Sequence, residues 1–148
     1  YEIQGEVPEG DYTIPFGEAA IRREGADVTI VAVSIMVHKA LAAAESLSKL
    51  GIECEVIDPR TIYPFDYETV LASLEKTHRL VVTHESNRRN GVGAEIVSQV
   101  VERGFDLLDE KPVIVAGLDV PMPYNRTLEA EVIPSEEKIK NAILQMMD

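Results

Sequence analysis

The sequence predicts an α/β fold in which a mostly parallel sheet carries helices on both faces. Short apolar runs, rich in β-branched residues, alternate with longer segments whose apolar residues recur every three or four positions. Such alternation is typical of parallel strands joined by right-handed crossovers. The 148 residues, 45% of them hydrophobic, fit one globular domain that needs neither disulfide nor metal to fold.

The first 17 residues differ in character from the rest of the chain. They hold three glycines, two prolines and no clean period, which indicates a linker or arm, so the predicted domain spans residues 18–148. Within it, five apolar runs predict a short edge strand followed by four further strands. These strands are expected at residues 18–23, 28–33, 53–57, 79–83 and 113–117.

The first helix is predicted from its apolar stripe and from the residues at its ends. Ser34 is expected to cap its start. Its stripe runs from Val37 to Leu47 at steps of three and four. Gly51 is expected to stop it, because glycine readily adopts the left-handed conformation that ends helices.

Three more helices follow from similar signals. Asp66 is expected to cap a short helix through residue 74, a longer one covers 91–108, and the last begins at Ser135. The segment 118–134 contains three prolines and has no clear period. Irregular segments of that length are usually functional or packed against a neighbour, which predicts an exposed or interfacial loop there.

Charge excludes several classes of partner. Lys and Arg number 14 against 26 Asp and Glu, giving a formal net charge of −12. This argues against binding of nucleic acid through its phosphates and against an anionic membrane surface, and it favours a basic protein partner or high solubility. No apolar run approaches the roughly 18 residues of a membrane span. The lone Cys54 is expected as a buried thiol, and these features together predict a cytoplasmic protein.

Polar residues follow the predicted strands at the sheet edge where α/β proteins bind ligands. Gly91 and Gly93 beside Arg88 suggest an anion site, but a dinucleotide fingerprint needs a third glycine where the chain has Ile96. The favoured interpretation is that the glycines let the helix begin close to the sheet.

The adjacent His84 and Glu85 could form an acid–base pair. Neighbouring strand residues point apart, however, and neither an activated nucleophile nor a second histidine at metal spacing accompanies them. They are therefore expected to anchor a loop or an interface.

Two further acidic positions are interpreted as turn residues. Asp58 and Arg60 bracket a proline, so an ion pair between them is expected to pin the turn, or Arg60 could reach a partner's carboxylate. Asp119 is interpreted as a turn residue more than as a metal ligand, because no second carboxylate is placed to share a metal with it. The residues alone specify no catalytic, cofactor-binding or metal-binding set.

Four motifs, the second of them in two parts, match one known family. Residues 58–66 read D-P-R-T-I-Y-P-F-D, and residues 80–85 and 91–96 read L-V-V-T-H-E and G-V-G-A-E-I. Residues 117–124 read G-L-D-V-P-M-P-Y, and residues 8–15 read P-E-G-D-Y-T-I-P. Together they resemble the E1 β subunits of 2-oxo acid dehydrogenase complexes, of the pyruvate or acetoin type. The loop at residues 86–90 departs from the glycine-rich or acidic pattern common in that family.

The resemblance implies a C-terminal domain of the transketolase type. Such a domain is a three-layer α/β/α structure whose five-stranded, mostly parallel sheet is mixed, with one antiparallel strand. Thiamine diphosphate and Mg²⁺ would bind elsewhere in the complete enzyme, with no cofactor in this domain. Its implied partners are the E1 α subunit, a second E1 β subunit and the basic subunit-binding domain of the E2 acyltransferase.

The resemblance also nominates contact residues. The interface candidates are Asp58, Arg60, His84, Glu85, Arg88, Asp119 and Tyr124. The acidic candidates for E2 docking are Asp109, Glu110, Glu129 and Glu131.

The implied function is non-catalytic assembly within an enzyme that decarboxylates pyruvate oxidatively and transfers the acyl group to lipoyl-E2. An acetoin-cleaving E1 is the nearest alternative. The matching domain of a transketolase or a deoxyxylulose-phosphate synthase is a second. A stand-alone receiver module is a third, but the acidic cluster that a receiver needs after its first strand is replaced by V-S-I at residues 33–35.

Overall fold

The computed structural model describes residues 3–147. Its strands are β1 (Ala20–Arg23), β2 (Val28–Ala32), β3 (Cys54–Asp58), β4 (Leu80–Asn87) and β5 (Val113–Gly117). Its α-helices are α1 (Met36–Ser48), α2 (Tyr67–Thr77), α3 (Val92–Gly104), α4 (Arg126–Val132) and α5 (Glu136–Met147). A short 3₁₀ turn, Phe105–Leu107, follows α3.

The strands form one five-stranded sheet in the order β1-β3-β2-β4-β5. β1 runs antiparallel to β3, and every other pairing is parallel. β2 is central, with Val31 paired to Ile57 on one side and to Val82 on the other. The α/β class and the mixed, mostly parallel sheet are thereby confirmed.

Two apolar clusters fill the space on the two faces of the sheet. On one face Ile30 packs with Leu47 of α1 and Ile143 of α5. On the other, Val31 packs with Leu74 of α2 and Ile96 of α3. Each fully buried side chain of this kind contributes roughly 1.5–3 kcal/mol, so the domain carries its own two-sided core. Cys54 belongs to this core, and burial raises the pKa of its thiol to about 12.

Helix ends agree with the sequence in part. The Asp66 carboxylate accepts the Thr69 amide at 3.0 Å and caps α2, as predicted, and Gly51 has the expected positive φ of 83°. The predicted Ser34 cap is wrong. Ser34 itself has a positive φ of 59°, and α1 begins after Ile35 with no side-chain cap.

Three element bounds differ from those expected. β4 continues through Asn87, so His84 and Glu85 lie within a strand rather than in a loop. The predicted long third helix ends at Gly104 and gives way to the 3₁₀ turn. The segment 118–134 is not irregular throughout, because it contains α4, whose first-turn amides donate to the side chain of Asn125.

Residues 3–17 have no regular secondary structure and are largely exposed. The arm touches the domain where the Gly17 amide donates to the Thr61 hydroxyl at 2.9 Å. A linker role for residues 1–17 stays a prediction, and residues 1 and 2 lie outside the described range. Across the described residues we find no helix that is long and apolar enough to cross a membrane.

Candidate functional site

The carboxyl ends of β3, β2, β4 and β5 meet at one edge of the sheet, because these neighbouring strands are parallel. The segments that follow them bring together Ser34, Asp58, Arg60, Arg88 and Asp119. This is the position at which open α/β sheets bind ligands or partners. Four of the seven predicted interface candidates, Asp58, Arg60, Arg88 and Asp119, therefore lie at one edge, and their contact with a partner stays a prediction.

At the end of β3, Asp58 holds a tight turn. Its carboxylate accepts the backbone amide of Arg60 at 3.0 Å, and Arg60 has a positive φ of 58°. The expected pinning is thus made through the amide of Arg60 and not by an ion pair. The guanidinium is exposed and forms no salt bridge within residues 3–147, so it is available to a partner.

His84 lies beneath the edge and not on it. It is 2% exposed, and its Nδ1 shares a hydrogen bond of 2.8 Å with the Ser86 hydroxyl. Burial lowers the pKa of His84, so the imidazole is neutral at pH 7. Its Nε2 is buried without a hydrogen-bond partner among the described residues. A side chain so enclosed cannot reach a substrate, and Glu85 does not pair with it.

The glycines of the G-V-G segment make room for this imidazole. A Cβ on Gly91 would lie 2.5 Å from Cε1 of His84, and one on Gly93 would lie 2.7 Å from its Nε2. Both distances are far below van der Waals contact. The glycines therefore let α3 begin close to the sheet, as the sequence suggested. The His84 ring requires a glycine at both positions, and the Asn87 carbonyl, 2.4 Å from a Cβ on Gly91, requires one there as well.

Asp119 anchors the loop that follows β4. Its carboxylate accepts the Arg89 amide at 2.8 Å, while the Arg88 amide donates to the Gly117 carbonyl at 3.0 Å. The Arg88 guanidinium donates to the carbonyl of Ile114 in β5. Asp119 is therefore a turn residue, and the arginine-rich loop is clamped against the edge strand. Residues 3–147 contain no group of three His, Cys, Asp or Glu side chains that could hold a metal.

Large apolar side chains are exposed around this edge. Tyr63, next to a cis peptide bond with Pro64, is 94% exposed, and Tyr124 is fully exposed. Exposed apolar clusters of this kind mark protein interfaces. Sequence reasoning named Tyr124 but missed Tyr63, although its place inside the 58–66 motif was a usable signal. The remaining exposed members are Ile62, Leu118, Val120, Met122 and Leu128.

A groove of about 540 Å³ lies next to Tyr63, between the cis-proline turn, α2 and α3. Tyr67 lines it, and the guanidinium of Arg103 stacks over the Tyr67 ring at 4.7 Å. Glu95 of α3 also lines it, and no nucleophile with an adjacent base does. The groove offers packing surface and charge to a partner.

The four acidic docking candidates do not form one patch. Asp109 and Glu110 are exposed and precede β5, whereas Glu129 and Glu131 lie on α4, beyond its other end. Five strand residues span roughly 17 Å, which separates the two pairs. Lys138 donates to the Glu131 carbonyl and weakens the negative field on α4. Asp109 and Glu110 are both exposed, whereas Glu129 is half-buried, so the first pair is the more accessible.

Comparison with known proteins identifies the family. The model of the transketolase C-terminal domain matches residues 17–139. The chain belongs to the transketolase C-terminal domain family. It is 44% identical, over 99% of its length, to the β subunit of acetoin:2,6-dichlorophenolindophenol oxidoreductase from Bacillus subtilis. It is 48% identical, over 96% of its length, to the mitochondrial pyruvate dehydrogenase E1 component subunit beta-2 from Oryza sativa. The resemblance drawn from the four motifs is confirmed.

The fold comparison agrees. A split-gene transketolase, solved as an inactive β4 tetramer, superimposes with a TM-score of 0.80 at 28% identity, covering 96% of this chain and 46% of that one. The two relatives named above are covered over 43% and 38% of their own lengths. This chain therefore spans less than half the length of each of these proteins.

Proposed function

We propose that this transketolase C-terminal domain serves as the assembly domain of an E1 β subunit in a thiamine diphosphate-dependent 2-oxo acid dehydrogenase. The observation that carries the proposal is the carboxyl edge itself. It exposes apolar side chains such as Tyr63 and Tyr124 while the imidazole of His84 is sealed beneath it. An edge of this kind suits contact with other subunits better than catalysis.

The proposed partners follow from this role. An E1 α subunit and a second E1 β subunit would cover the apolar edge, with Arg60 and Arg88 contributing charge. Thiamine diphosphate and Mg²⁺ would bind outside this domain. The complete enzyme would decarboxylate a 2-oxo acid oxidatively and transfer the acyl group to lipoyl-E2. A cytoplasmic location also stays a prediction.

Two measurements test the assembly role. The 148-residue chain, supplied with thiamine diphosphate, Mg²⁺ and pyruvate, should show no turnover, because the edge offers no nucleophile–base pair. The same chain should capture a purified E1 α subunit in a pull-down. Measurable turnover, or failure to capture the α subunit, would overturn the proposal.

An acetoin-cleaving enzyme is the alternative, favoured by the match to the Bacillus subtilis relative over 99% of the chain. A transketolase-like or deoxyxylulose-phosphate synthase-like parent is less favoured, since the split-gene transketolase shares 28% identity. Supplying the reconstituted enzyme with pyruvate, acetoin and sugar phosphates in turn distinguishes the three, since one substrate class should be consumed.

Docking of a basic E2 module is expected to depend chiefly on Asp109 and Glu110. Reversing both charges (Asp109→Lys with Glu110→Lys) should weaken binding at least tenfold, about 1.4 kcal/mol, because attraction becomes repulsion. Titration calorimetry at low and at 0.15 M salt measures this, and wild-type affinity should fall as salt rises.

The matched control reverses the other acidic pair, Glu129→Lys with Glu131→Lys. It introduces the same charge change at the far end of β5. Because Lys138 already offsets part of the negative charge there, this variant should weaken binding less. Equal losses in both double variants would mean that net charge, and not a docking site at Asp109 and Glu110, controls the interaction.

A further inference from the structure

The turn between β4 and α3 carries an asparagine directly before a glycine. Asn90 is exposed, and Gly91 is the last residue before α3 begins. In an Asn-Gly pair the backbone nitrogen of the glycine can attack the carboxamide carbon of the asparagine, because glycine has no side chain to shield that nitrogen. The pair is therefore a candidate site of spontaneous covalent modification.

The fold favours this pair of residues at these two positions. Asn90 has a positive φ of 57°, a conformation in which asparagine is enriched among residues other than glycine. A Cβ on Gly91 would lie 2.4 Å from the Asn87 carbonyl oxygen and 2.5 Å from Cε1 of His84, so only glycine fits there. The turn at one position and close packing at the next thus place the two reacting residues side by side.

Both reacting groups lack hydrogen bonds in the folded domain. The amides of the two preceding residues are held, that of Arg88 by the Gly117 carbonyl at 3.0 Å and that of Arg89 by the Asp119 carboxylate at 2.8 Å. Within residues 3–147, neither the Asn90 carboxamide nor the Gly91 N–H takes part in a hydrogen bond. No hydrogen bond therefore has to break before the carboxamide carbon turns towards the glycine nitrogen.

The other three asparagines of the chain lack these features, and none of them precedes a glycine. Asn125 is exposed, but its carboxamide oxygen accepts two backbone amides at 2.9 and 3.3 Å at the start of α4. Asn87 and Asn141 lie inside β4 and α5. The chemistry therefore selects Asn90.

We propose that Asn90 deamidates spontaneously in the folded chain. The Gly91 nitrogen forms a bond to Cγ of Asn90, the Cγ–Nδ2 bond breaks, and Nδ2 leaves as ammonia with the proton of the attacking amide. Water then opens the resulting succinimide ring at either carbonyl, which gives aspartate or isoaspartate. Each product carries a new carboxylate at the edge of the sheet where Arg88 and Arg89 lie. This inference does not depend on the proposed assembly role.

The two products should affect the fold differently. Aspartate leaves the main chain unchanged and places a negative charge just before the positive N-terminal end of α3, which is a favourable position. Isoaspartate lengthens the main chain by one carbon atom directly before Gly91, where the Asn87 carbonyl and the His84 ring leave no room. The isoaspartate form should therefore displace the start of α3 and unfold at a lower urea concentration than the unmodified chain.

Isoelectric focusing of the purified chain, incubated at neutral and at alkaline pH, tests the reaction. A more acidic band should accumulate, and it should form faster at alkaline pH because the attacking nitrogen must lose its proton. Peptide mapping should locate the change at Asn90, and a protein isoaspartate methyltransferase should methylate part of the product. Asn125, measured in the same digest, is the internal control and should stay intact.

Asn90→Gly is the matched variant, since glycine accepts the positive φ and has no carboxamide. It should form no acidic band under the same conditions. An equal band from Asn90→Gly would overturn the proposal, because the reaction would then lie elsewhere. A band that forms from the urea-unfolded chain but not from the folded chain would also overturn it, because the fold would then prevent the attack.

Asn90→Asp separates the effect of the new charge from that of the longer main chain. This variant should unfold at the same urea concentration as the unmodified chain, whereas the isoaspartate fraction of the incubated protein should unfold earlier. Equal midpoints for the isoaspartate fraction and for Asn90→Asp would contradict the displacement of α3.

Discussion

Replacing Gly93 with alanine should destabilise the domain by about 1–3 kcal/mol, because it overpacks the His84 site. The sign is opposite to that of an ordinary helix position, where alanine is favoured over glycine by roughly 1 kcal/mol. The new Cβ would lie 2.7 Å from Nε2 and 2.8 Å from Cδ2 of the buried imidazole, and 3.1 Å from a methyl group of Ile114. Urea unfolding followed by circular dichroism measures the loss.

The cause is tested by a double-mutant cycle with His84→Ala. Once the imidazole is removed, the added methyl group has space, so Gly93→Ala should cost far less in that background. Gly104→Ala, at the other end of α3, is the control. Its Cβ would meet the ends of two flexible side chains, Leu71 at 2.7 Å and Leu107 at 3.1 Å, which can move aside, so its cost should be smaller. Additive losses in the cycle would contradict the contact with His84.

His84 also shows where sequence reasoning succeeds and where it stops. The motif 80–85 placed it at a strand end, and the absence of a companion nucleophile argued against catalysis, which stays a prediction. The sequence could not show that β4 runs on to Asn87, because Ser86 and Asn87 carry no β signal of their own. Pairing of Asn87 with Gly117 in β5 extends the strand there, and such a tertiary contact has no local signature.

The segment after β5 shows a second limit of sequence reasoning, because a helix there was not predicted. Its three prolines made residues 118–134 look irregular throughout. Asn125 nevertheless accepts the amides of Thr127 and Leu128 at 2.9 and 3.3 Å and starts α4. An Asn directly before a seven-residue helix is a detectable cap signal, yet the short apolar pattern behind it was too weak to outweigh the prolines.

The location of the candidate site could be predicted from the sequence better than its hydrogen bonds could. The strand order brought the ends of β3 and β5 to one edge, as parallel topology requires. The donors could not be predicted: Asp58 accepts the backbone amide of Arg60 and not its guanidinium, and Asp119 accepts the amide of Arg89. A hydrogen bond between a side chain and a nearby backbone amide forms only when the turn has the right backbone angles. The positive φ of 58° at Arg60 is such an angle, and the residue type does not specify it.

Lys76→Met should destabilise the domain by about 1–3 kcal/mol at pH 7, because it leaves the buried carboxylate of Glu55 without its charged partner. Removing one partner of a fully buried ion pair costs roughly 3–5 kcal/mol. The expected loss is smaller here because Lys76 is partly exposed to solvent. Glu55 in β3 is fully buried, and its carboxylate accepts Lys76 at 2.6 Å and, more weakly, the Gly25 amide at 3.4 Å. Burial alone would raise the pKa of Glu55, but the hydrogen bond from Lys76 holds that pKa below its usual range.

The sign of the pH dependence follows from this lowered pKa. In the wild type the stabilisation is present above the ordinary glutamate pKa of 4.5 and is lost as the pH falls through the folded-state value. Without Lys76, burial dominates and raises the pKa of Glu55, so acid neutralises the stranded carboxylate. The deficit of Lys76→Met relative to wild type should therefore be largest at pH 7 and shrink towards pH 4.5, as measured by urea unfolding at both pH values.

Two variants distinguish the loss of the Glu55–Lys76 ion pair from a general loss of positive charge. Lys140→Met removes a lysine whose partner Glu137 lies 4.0 Å away near the surface, and its effect should stay within about 0.5 kcal/mol at either pH. The double variant Glu55→Leu with Lys76→Met replaces the pair by apolar side chains and should recover much of the loss, since the cost lies in the unpaired carboxylate. If the double variant is instead less stable than Lys76→Met, Glu55 stabilises β3 through the Gly25 amide and not through Lys76.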